Sequence, residues 1–224
     1  FIGNDTKTAV SGTSVVWVGE NEDIDFYVGT GDKQTRSVVV AGTNAFISSA
    51  LEGSGEIRGY YPANLATSSQ ASDAPYVSIP KEYNCDVDAS DRQVIALPMV
   101  AKAESGATSI RFKHLTAAIN VVLKNSITGT TLYVDSVTVI ADKSYLSTGN
   151  SGLTINMKND SLGVTFAKAA SPSQYNLASR KVKVCFPTGF EVAAGSMDKT
   201  IQVPVRPFES DRDRKSGSAG MPRP

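Results

Sequence analysis

The sequence has few of the residues that enzyme active sites usually need. His114 is the only histidine, and Cys85 and Cys185 are the only cysteines. A Ser-His-Asp or Cys-His arrangement would have to use His114, and the motif Gly-x-Ser-x-Gly is absent. Two cysteines and one histidine are also too few for a typical zinc site. We therefore predict a non-enzymatic protein and assign no catalytic, cofactor-binding or metal-binding residues.

Excess charge of one sign and long apolar runs are lacking as well. Lysine plus arginine and aspartate plus glutamate number 22 each, so the chain has no net field that would attract nucleic acid. No apolar run approaches the roughly 20 residues that span a bilayer, which predicts no transmembrane segment in this sequence. The sequence starts at Phe1 and shows no export signal, so we expect the signal of an exported protein to lie outside it.

What the sequence does contain is alternation of apolar and polar residues in short runs. A period of two is typical of half-buried strands, with one face on a core and the other toward water. The predicted strands cover residues 13–18, 22–28, 36–42, 56–62, 76–80, 94–102, 131–140, 153–157, 162–166, 181–186 and 200–205. Clusters of glycine, serine, asparagine and aspartate separate them and predict turns.

Many short strands joined by turns predict an all-β fold, an antiparallel β-sandwich. We expect one domain over residues 1–206, with a possible subdivision near 126–131. Residues 207–224 combine alternating charges with glycine, serine and proline and have no apolar period, which predicts a flexible charged tail.

The segment SIRFKHLTAAINVVLKN, residues 109–125, shows a change of phase. Ile110 and Phe112 occupy even positions, whereas apolar residues from Leu115 onward occupy odd positions. The spacing after Leu115 also fits a helix, but a strand explains more of the segment. A β-bulge produces a shift of one residue. We predict one long bent strand over 110–123, with His114 at the bend and its ring against a backbone carbonyl or a loop.

The two cysteines lie in different kinds of sequence. Cys85 is in the polar stretch EYNCDVDAS, which predicts a loop, and Cys185 is in the strand-like run KVKVCF. A disulfide between them is one option in an oxidising compartment. Two unpaired thiols, one of them half buried, are the favoured alternative.

Three further motifs suggest binding sites but have simpler structural explanations. The acidic run GENEDID, residues 19–25, could bind a cation but fits an exposed acidic hairpin. Residues 86–91, DVDASD, resemble the start of a calcium loop, yet the glycine at its sixth position and the glutamate at its twelfth are missing. Scattered aromatics, among them Tyr60 and Tyr61, could form a sugar-binding platform, although packing within the sheets is favoured.

Several segments, in order along the chain, resemble one family of surface proteins. They are the stretch from Trp17 to Val28, GYYPA at 59–63, LPMVAKAE at 97–104, IRFKHLTAAINVVL at 110–123, VDSVTVI at 134–140 and residues 184–205. The Phe-Lys-His-Leu core followed by an alternating apolar strand is the most specific of these elements. Together they are similar to the fimbrillin family of Bacteroidetes, which includes the subunits of type V pili.

The resemblance implies a transthyretin-like, Greek-key layout and export as a lipoprotein to the cell surface and outer membrane. It also implies assembly with other pilus or fimbrial subunits by strand donation, after an N-terminal segment is cut away at an arginine. No catalytic residues come with the family. The first arginine here, Arg36, follows a predicted strand and is a poor processing site, and the tail lacks the apolar alternation of a donor strand. A tip, anchor or accessory subunit therefore fits as well as a shaft subunit.

Two functions follow as hypotheses. The first is a structural and adhesive surface protein, a fimbrillin-like pilus or accessory subunit without enzymatic activity. The second is a surface carbohydrate- or ligand-binding lipoprotein module for host or bacterial ligands, which would use exposed aromatics such as Tyr60 and Tyr61 or the acidic turn at 20–25. An unfilled strand position beside residues 110–123 or near the N-terminus would favour strand donation.

Overall fold

The computed structural model describes residues 8–11, 14–17, 22–41, 44–66, 75–88, 92–142, 146–148, 153–155, 157, 180–195 and 199–207. These residues form β-strands and no α-helix. The strands are β1 (Thr8–Ser11), β2 (Ser14–Trp17), β3 (Asp23–Val28), β4 (Gln34–Ala41), β5 (Asn44–Ile47), β6 (Ile57–Tyr61), β7 (Tyr76–Val77), β8 (Glu82–Val87), β9 (Gln93–Ile95), β10 (Met99–Ala103), β11 (Phe112–His114), β12 (Ala117–Leu123), β13 (Leu132–Ile140), β14 (Leu153–Thr154), β15 (Lys181–Val192) and β16 (Lys199–Val205).

The strands form four sheets, which we name A to D. Sheet A has the order β11-β10-β6-β3-β4-β5, and sheet B has the order β13-β15-β8-β9-β1-β2. Sheet C consists of β12 and β16, and sheet D of β14 and β7. All neighbouring strands are antiparallel except β8 and β15, which run parallel. The prediction of an all-β, antiparallel sandwich is confirmed, with this single parallel pair as a departure.

The central strands of sheet A carry large apolar residues at odd and even positions alike. Each face of the sheet therefore packs against a core of its own. Tyr61 of β6 packs in one core with Ile24 and Phe26 of β3. Tyr60, the preceding residue, packs in a second core with Val77 of sheet D. The expectation that each strand has one wet face is therefore wrong for the middle of sheet A.

Two of the sequence motifs meet within sheet A. Gly59 of β6 lies under the ring of Phe112 in β11, where an added Cβ atom would stand 2.8 Å from the ring carbon Cζ. The ring of Phe26 closes the same space and meets Phe112 edge to face at 6.4 Å. Glycine is required here because these two rings fill the position of a side chain.

Sheets B and C form a second sandwich around a core of their own. Buried residues of β8, β9, β15 and β16 fill it, including Tyr83, Phe186, Phe190, Ile201 and Val203. Alternation along β15 and β16 places Phe186, Ile201 and Val203 inward, as the sequence pattern predicts.

The chain crosses between sheets at two points where the sequence predicted continuous strands. The predicted strand 94–102 is interrupted at 96–98, where the chain passes from β9 in sheet B to β10 in sheet A. The predicted strand 110–123 ends at His114, and the chain continues as β12 in sheet C. The crossings touch, since the backbone N–H of Leu115 donates to the carbonyl of Pro98 at 2.8 Å. The change of phase after Phe112 is therefore a change of sheet and not a bulge, while the strand reading of 117–123 is confirmed against the helical one.

Other sequence predictions have mixed outcomes. The strands β1, β5 and β8 were not predicted from the sequence. The predicted strand 162–166 and the tail from residue 208 lie outside the described residues. Residues 126–131 belong to the turn that joins β12 to β13, two strands that pack on one core. The number of domains stays a prediction. Within the described ranges, no helix has the length and apolar character that crossing a membrane requires.

Candidate functional site

His114 is the first residue to place, because it is the only imidazole in the chain. Neither ring nitrogen is accessible to solvent, and neither has a hydrogen-bond partner among the described residues. Of the two partners predicted for the ring, a backbone carbonyl or a loop, the carbonyl is not hydrogen-bonded to it among the described residues. Burial lowers the pKa of His114 below its ordinary value of 6.5, so the ring is neutral. No described side chain is bonded to it that would make it a general base.

A small cavity of about 120 Å³ lies beside His114. Its walls come from three strands and from both crossings between sheets. Besides His114, they are formed by Ile95, Leu97, Thr116, Ala117, Ala118, Gln202 and Pro204. None of these side chains is charged. The cavity therefore marks an apolar seam where β9, β12 and β16 meet.

The two cysteines lie on neighbouring strands but on opposite faces of sheet B. Cys185 of β15 is level with Asn84 of β8, so Cys85 is one residue out of step with it. Cys85 is buried in the core, where desolvation raises the pKa of its thiol to about 12. Cys185 is half buried on the outer face, and its thiol donates to Glu82 at 3.3 Å. Both thiols are free, and the disulfide is excluded because the side chains point apart. The loop predicted around Cys85 is wrong, since the residue lies in β8.

The acidic run is used for internal bonds. Asp25 is buried in β3, where its carboxylate accepts hydrogen bonds from the hydroxyl of Thr35 and the backbone N–H of Asn64, both at 2.6 Å. The ammonium of Lys33 lies 3.5 Å from the same carboxylate. Asn64 adopts a left-handed backbone, with φ of 64°. Asp25 therefore fixes the turn after β6, and its oxygens are not presented to a cation in solvent.

The remaining members of the run behave similarly. Glu22 accepts a hydrogen bond from the hydroxyl of Tyr61 at 3.0 Å, and Asp23 accepts one from Ser37 at 2.7 Å. Glu20 lies outside the described residues. The expectation of an exposed acidic hairpin is wrong for Asp25, whose strand lies between two others in sheet A.

The calcium-like stretch is tied to an arginine. The carboxylate of Asp88 accepts from the backbone N–H and the guanidinium of Arg92 at 2.9 Å and 2.8 Å. Residues 89–91 lie outside the described part of the chain. Among the described residues, no three histidine, cysteine, aspartate or glutamate side chains come together as a metal site would require.

The aromatic platform proposed for sugar binding is not available at its named residues. Tyr60 and Tyr61 are both fully buried. The exposed aromatics among the described residues are Phe46, Tyr76 and Tyr133, which lie on three different strands, β5, β7 and β13. Stacking on a sugar needs aromatic faces that act together, and these three do not form one surface along a strand.

One side of the sandwich between sheets B and C is closed by Gln93 of β9. Its side-chain amide donates to the carbonyl of Gln202 and accepts from the N–H of Gln202, both at 2.8 Å. This contact imitates a strand pair and ties β9 to β16. Because the N–H and C=O of one residue point to the same edge, β12 must lie on the opposite edge of β16.

The other side of this sandwich is open. β12 has β16 as its neighbour and β13 has β15, and no described strand pairs with the outer edge of either. The inward side chains beside these edges pack on the core yet stay partly exposed: Ile119, Val121 and Leu123 on β12, and Val134, Val137 and Val139 on β13. Within the described residues β12 has an unpaired edge, which is one of the two unfilled positions that would favour strand donation.

A polar turn holds the two open edges on the same side. The buried side chain of Asn125 donates to the carbonyls of Thr130 and Val192 at 2.7 Å and 3.0 Å. Its carbonyl oxygen accepts from the N–H of Ile127 at 3.0 Å. β12 and β13 therefore both leave this turn, and each has one unpaired edge among the described residues. We call the half-buried apolar side chains beside these two edges the open groove.

Comparison with known proteins adds no relative, because no family model, curated protein or solved structure matches this chain.

Proposed function

We propose that the protein is a non-enzymatic structural subunit of the cell surface that accepts a β-strand from a neighbouring subunit in the open groove, beside β12. The observation that carries the proposal is the row of half-buried apolar side chains on a sheet of two strands. Among the described residues, sheet B, which faces it, has six strands and sheet C has two, so sheet C is the layer with fewer strands. The resemblance of the sequence to fimbrillins supports the same role, as an exported, lipid-anchored pilus or accessory subunit with an adhesive function.

An added strand would gain free energy from two sources. Its backbone would pair with the outer edge of β12, a strand of seven residues. Its alternate side chains would cover Val134, Val137 and Val139 of β13, and complete burial of such a side chain contributes about 1.5–3 kcal/mol relative to exposure. The donor is therefore an extended segment with apolar residues at every second position.

Processing at an arginine inside the described residues is not part of this proposal. Arg36 lies within β4, and its guanidinium donates to the carbonyl of Ala50 at 3.1 Å. Cleavage there would cut β4, which pairs with both β3 and β5 in sheet A. The proposal concerns strand acceptance and covers shaft, tip and anchor subunits alike.

Strand acceptance is tested with a labelled nine-residue peptide that alternates valine and threonine, compared with a peptide of the same composition whose valines are contiguous. Fluorescence anisotropy should show saturable binding of the alternating peptide alone. Val121→Asn places a polar amide on the inner face of β12 and should weaken binding at least tenfold. Val122→Asn is the matched control, because Val122 points outward from the same strand and is 56% exposed.

Equal effects of the two variants, or equal binding of the two peptides, would remove the case for the groove. Immunogold labelling of intact producing cells and electron microscopy of the assembled protein test the second half of the proposal. Surface label and contact with other subunits are expected, and label confined to the cell interior would contradict it.

A further inference from the structure

Three polar side chains from neighbouring parts of sheet A meet across β3. Lys33 directly precedes β4, Asn64 follows β6, and Asp25 lies on β3, the strand between β4 and β6. The ammonium of Lys33 donates a hydrogen bond to the side-chain oxygen Oδ1 of Asn64 at 2.9 Å. The same nitrogen lies 3.5 Å from Oδ2 of Asp25. An amine and a carboxamide are therefore in contact beside a carboxylate.

The amine of Lys33 is close enough to the carboxamide of Asn64 for the two to react. Because a carbonyl bond is about 1.23 Å long, Nζ can lie no more than about 4.1 Å from the carbon Cγ of Asn64. Reacting atoms in a near-attack geometry are about 3–3.5 Å apart, so a small side-chain movement is sufficient. Both side chains reach the surface, which leaves room for this movement and for release of a product.

Asp25 fixes the two reactants and is placed to move protons between them. Its side chain is only 5% exposed, and one oxygen accepts a hydrogen bond from the hydroxyl of Thr35 at 2.6 Å. The other oxygen, Oδ2, accepts from the backbone N–H of Asn64 at 2.6 Å. This second bond holds Asn64 in its left-handed backbone conformation, with φ of 64°. The oxygen that positions Asn64 is therefore the one that lies beside the amine, where it can act as a base.

We propose that Lys33 and Asn64 form an intramolecular isopeptide bond, with Asp25 as the proton carrier. Asp25 takes a proton from the ammonium of Lys33, the neutral Nζ attacks Cγ of Asn64, and the bond between Cγ and Nδ2 breaks. Nζ gives up two protons in all, and Asp25 passes them to Nδ2, which departs as ammonium. The carboxylate is regenerated and no oxidant is required.

The bond goes beyond strand acceptance, because none of its residues belongs to the open groove. It would join the start of β4 to the end of β6 across β3, so these three strands of sheet A could not separate when the chain is pulled or partly unfolded.

Mass spectrometry of the intact full chain measures the bond, because its formation removes one ammonia. Folded wild-type protein should show this loss when purified, or acquire it during incubation at about pH 9, where more of a lysine amine is neutral. Tryptic digestion should then give a peptide that joins residues 8–36 to residues 59–81, because trypsin no longer cleaves after Lys33. Protein kept unfolded in urea during the same incubation should not give the joined peptide.

Three variants assign the roles. Lys33→Arg keeps the positive charge and Asn64→Asp keeps the shape of the side chain, and each should abolish the joined peptide. Asp25→Asn should slow its formation at least tenfold, with circular dichroism to show that this buried substitution leaves the fold intact. Lys124→Arg, at an exposed lysine that follows β12, is the control and should change nothing.

Three results would overturn the proposal. They are a folded wild-type protein that keeps its full mass throughout, an undiminished loss of ammonia in Lys33→Arg, and conversion of Asn64 to aspartate by water without a joined peptide. Formation of the bond at an unchanged rate in folded Asp25→Asn would contradict the role of Asp25 as proton carrier.

Discussion

The imidazole of His114 is half-buried between strands of three sheets, and its two ring nitrogens are shielded from solvent without a hydrogen-bond partner in the described structure, so desolvation sets its chemistry. A charged imidazolium in such a site would lose its hydration without gaining an acceptor, which is why its pKa falls. The residue therefore contributes to packing in its neutral form. Because its nitrogens are desolvated, protonation of this one side chain in acid should lower the stability of the folded protein.

The pH dependence of unfolding tests this assignment. The folded pKa of His114 lies below 6.5 and the unfolded pKa is near 6.5, so the unfolded chain takes up the proton first as pH falls. Stability should be complete above 6.5 and should fall by up to about 1.4 kcal/mol per pH unit below it, until the folded pKa is reached. Urea unfolding of wild type and His114→Gln, at neutral pH and about one unit below 6.5, isolates the effect. Parallel profiles for the two proteins would contradict it.

At the scale of single elements, the alternation of apolar residues was a sufficient guide where neighbouring positions differ clearly in polarity. β3, β13 and β16 were predicted within one or two residues of their bounds. β8 was missed because its outward residues Glu82, Asn84 and Asp86 dominate the stretch, although inward Tyr83 and Cys85 carried the period. The polar face of a strand resembles a loop when only composition is considered.

The crossing at Leu115–Thr116 could not be predicted, because a bulge and a change of sheet leave the same local pattern. Both shift the apolar phase by one residue, and only the pairing partners distinguish them: β10 for β11, and β16 for β12. A register irregularity does exist elsewhere, in the pair of β13 with β15. The spacing of three between Val134 and Val137 was its signal in the sequence.

The side chain of Gln93 links β9 to β16. The alternation of apolar and polar residues in the sequence gives no sign of such a link. Gln93→Leu keeps the approximate volume but leaves the N–H and C=O of Gln202 without their partner, which should cost about 1–3 kcal/mol of unfolding free energy. Hydrogen exchange of the Gln202 amide should accelerate at the same time. Asn84→Leu, an exposed position on β8, is the control and should change neither. Unaltered exchange at Gln202 in Gln93→Leu would show that the hydrogen bonds between Gln93 and Gln202 do not protect β16.

At the scale of the whole molecule, the chain connects its cores through two crossings that are bonded to each other. Leu115 is fully buried in the core between sheets A and D, and the next residues line the seam with β16 in sheet C. The open groove lies on the far side of sheet C from Gln93. A donated strand would therefore bind sheet C, which the two crossings connect to the rest of the molecule. The resemblance left two places open for an unfilled strand position, beside residues 110–123 or near the N-terminus, and the walls of the groove depend on the order of strands in sheets B and C.

Loss of packing at the crossing should therefore lower the stability of both sandwiches. Leu115→Ala removes a fully buried side chain and should lower the unfolding free energy by about 2–5 kcal/mol. If the crossings couple the cores, the most protected amides of β10 in sheet A and of β16 in sheet C should lose the same amount of exchange protection. Leu132→Ala, at a position that is 40% exposed, should affect neither. Protection lost from β10 alone would mean that the cores unfold independently, and a strand bound beside β12 would then stabilise only the sandwich of sheets B and C.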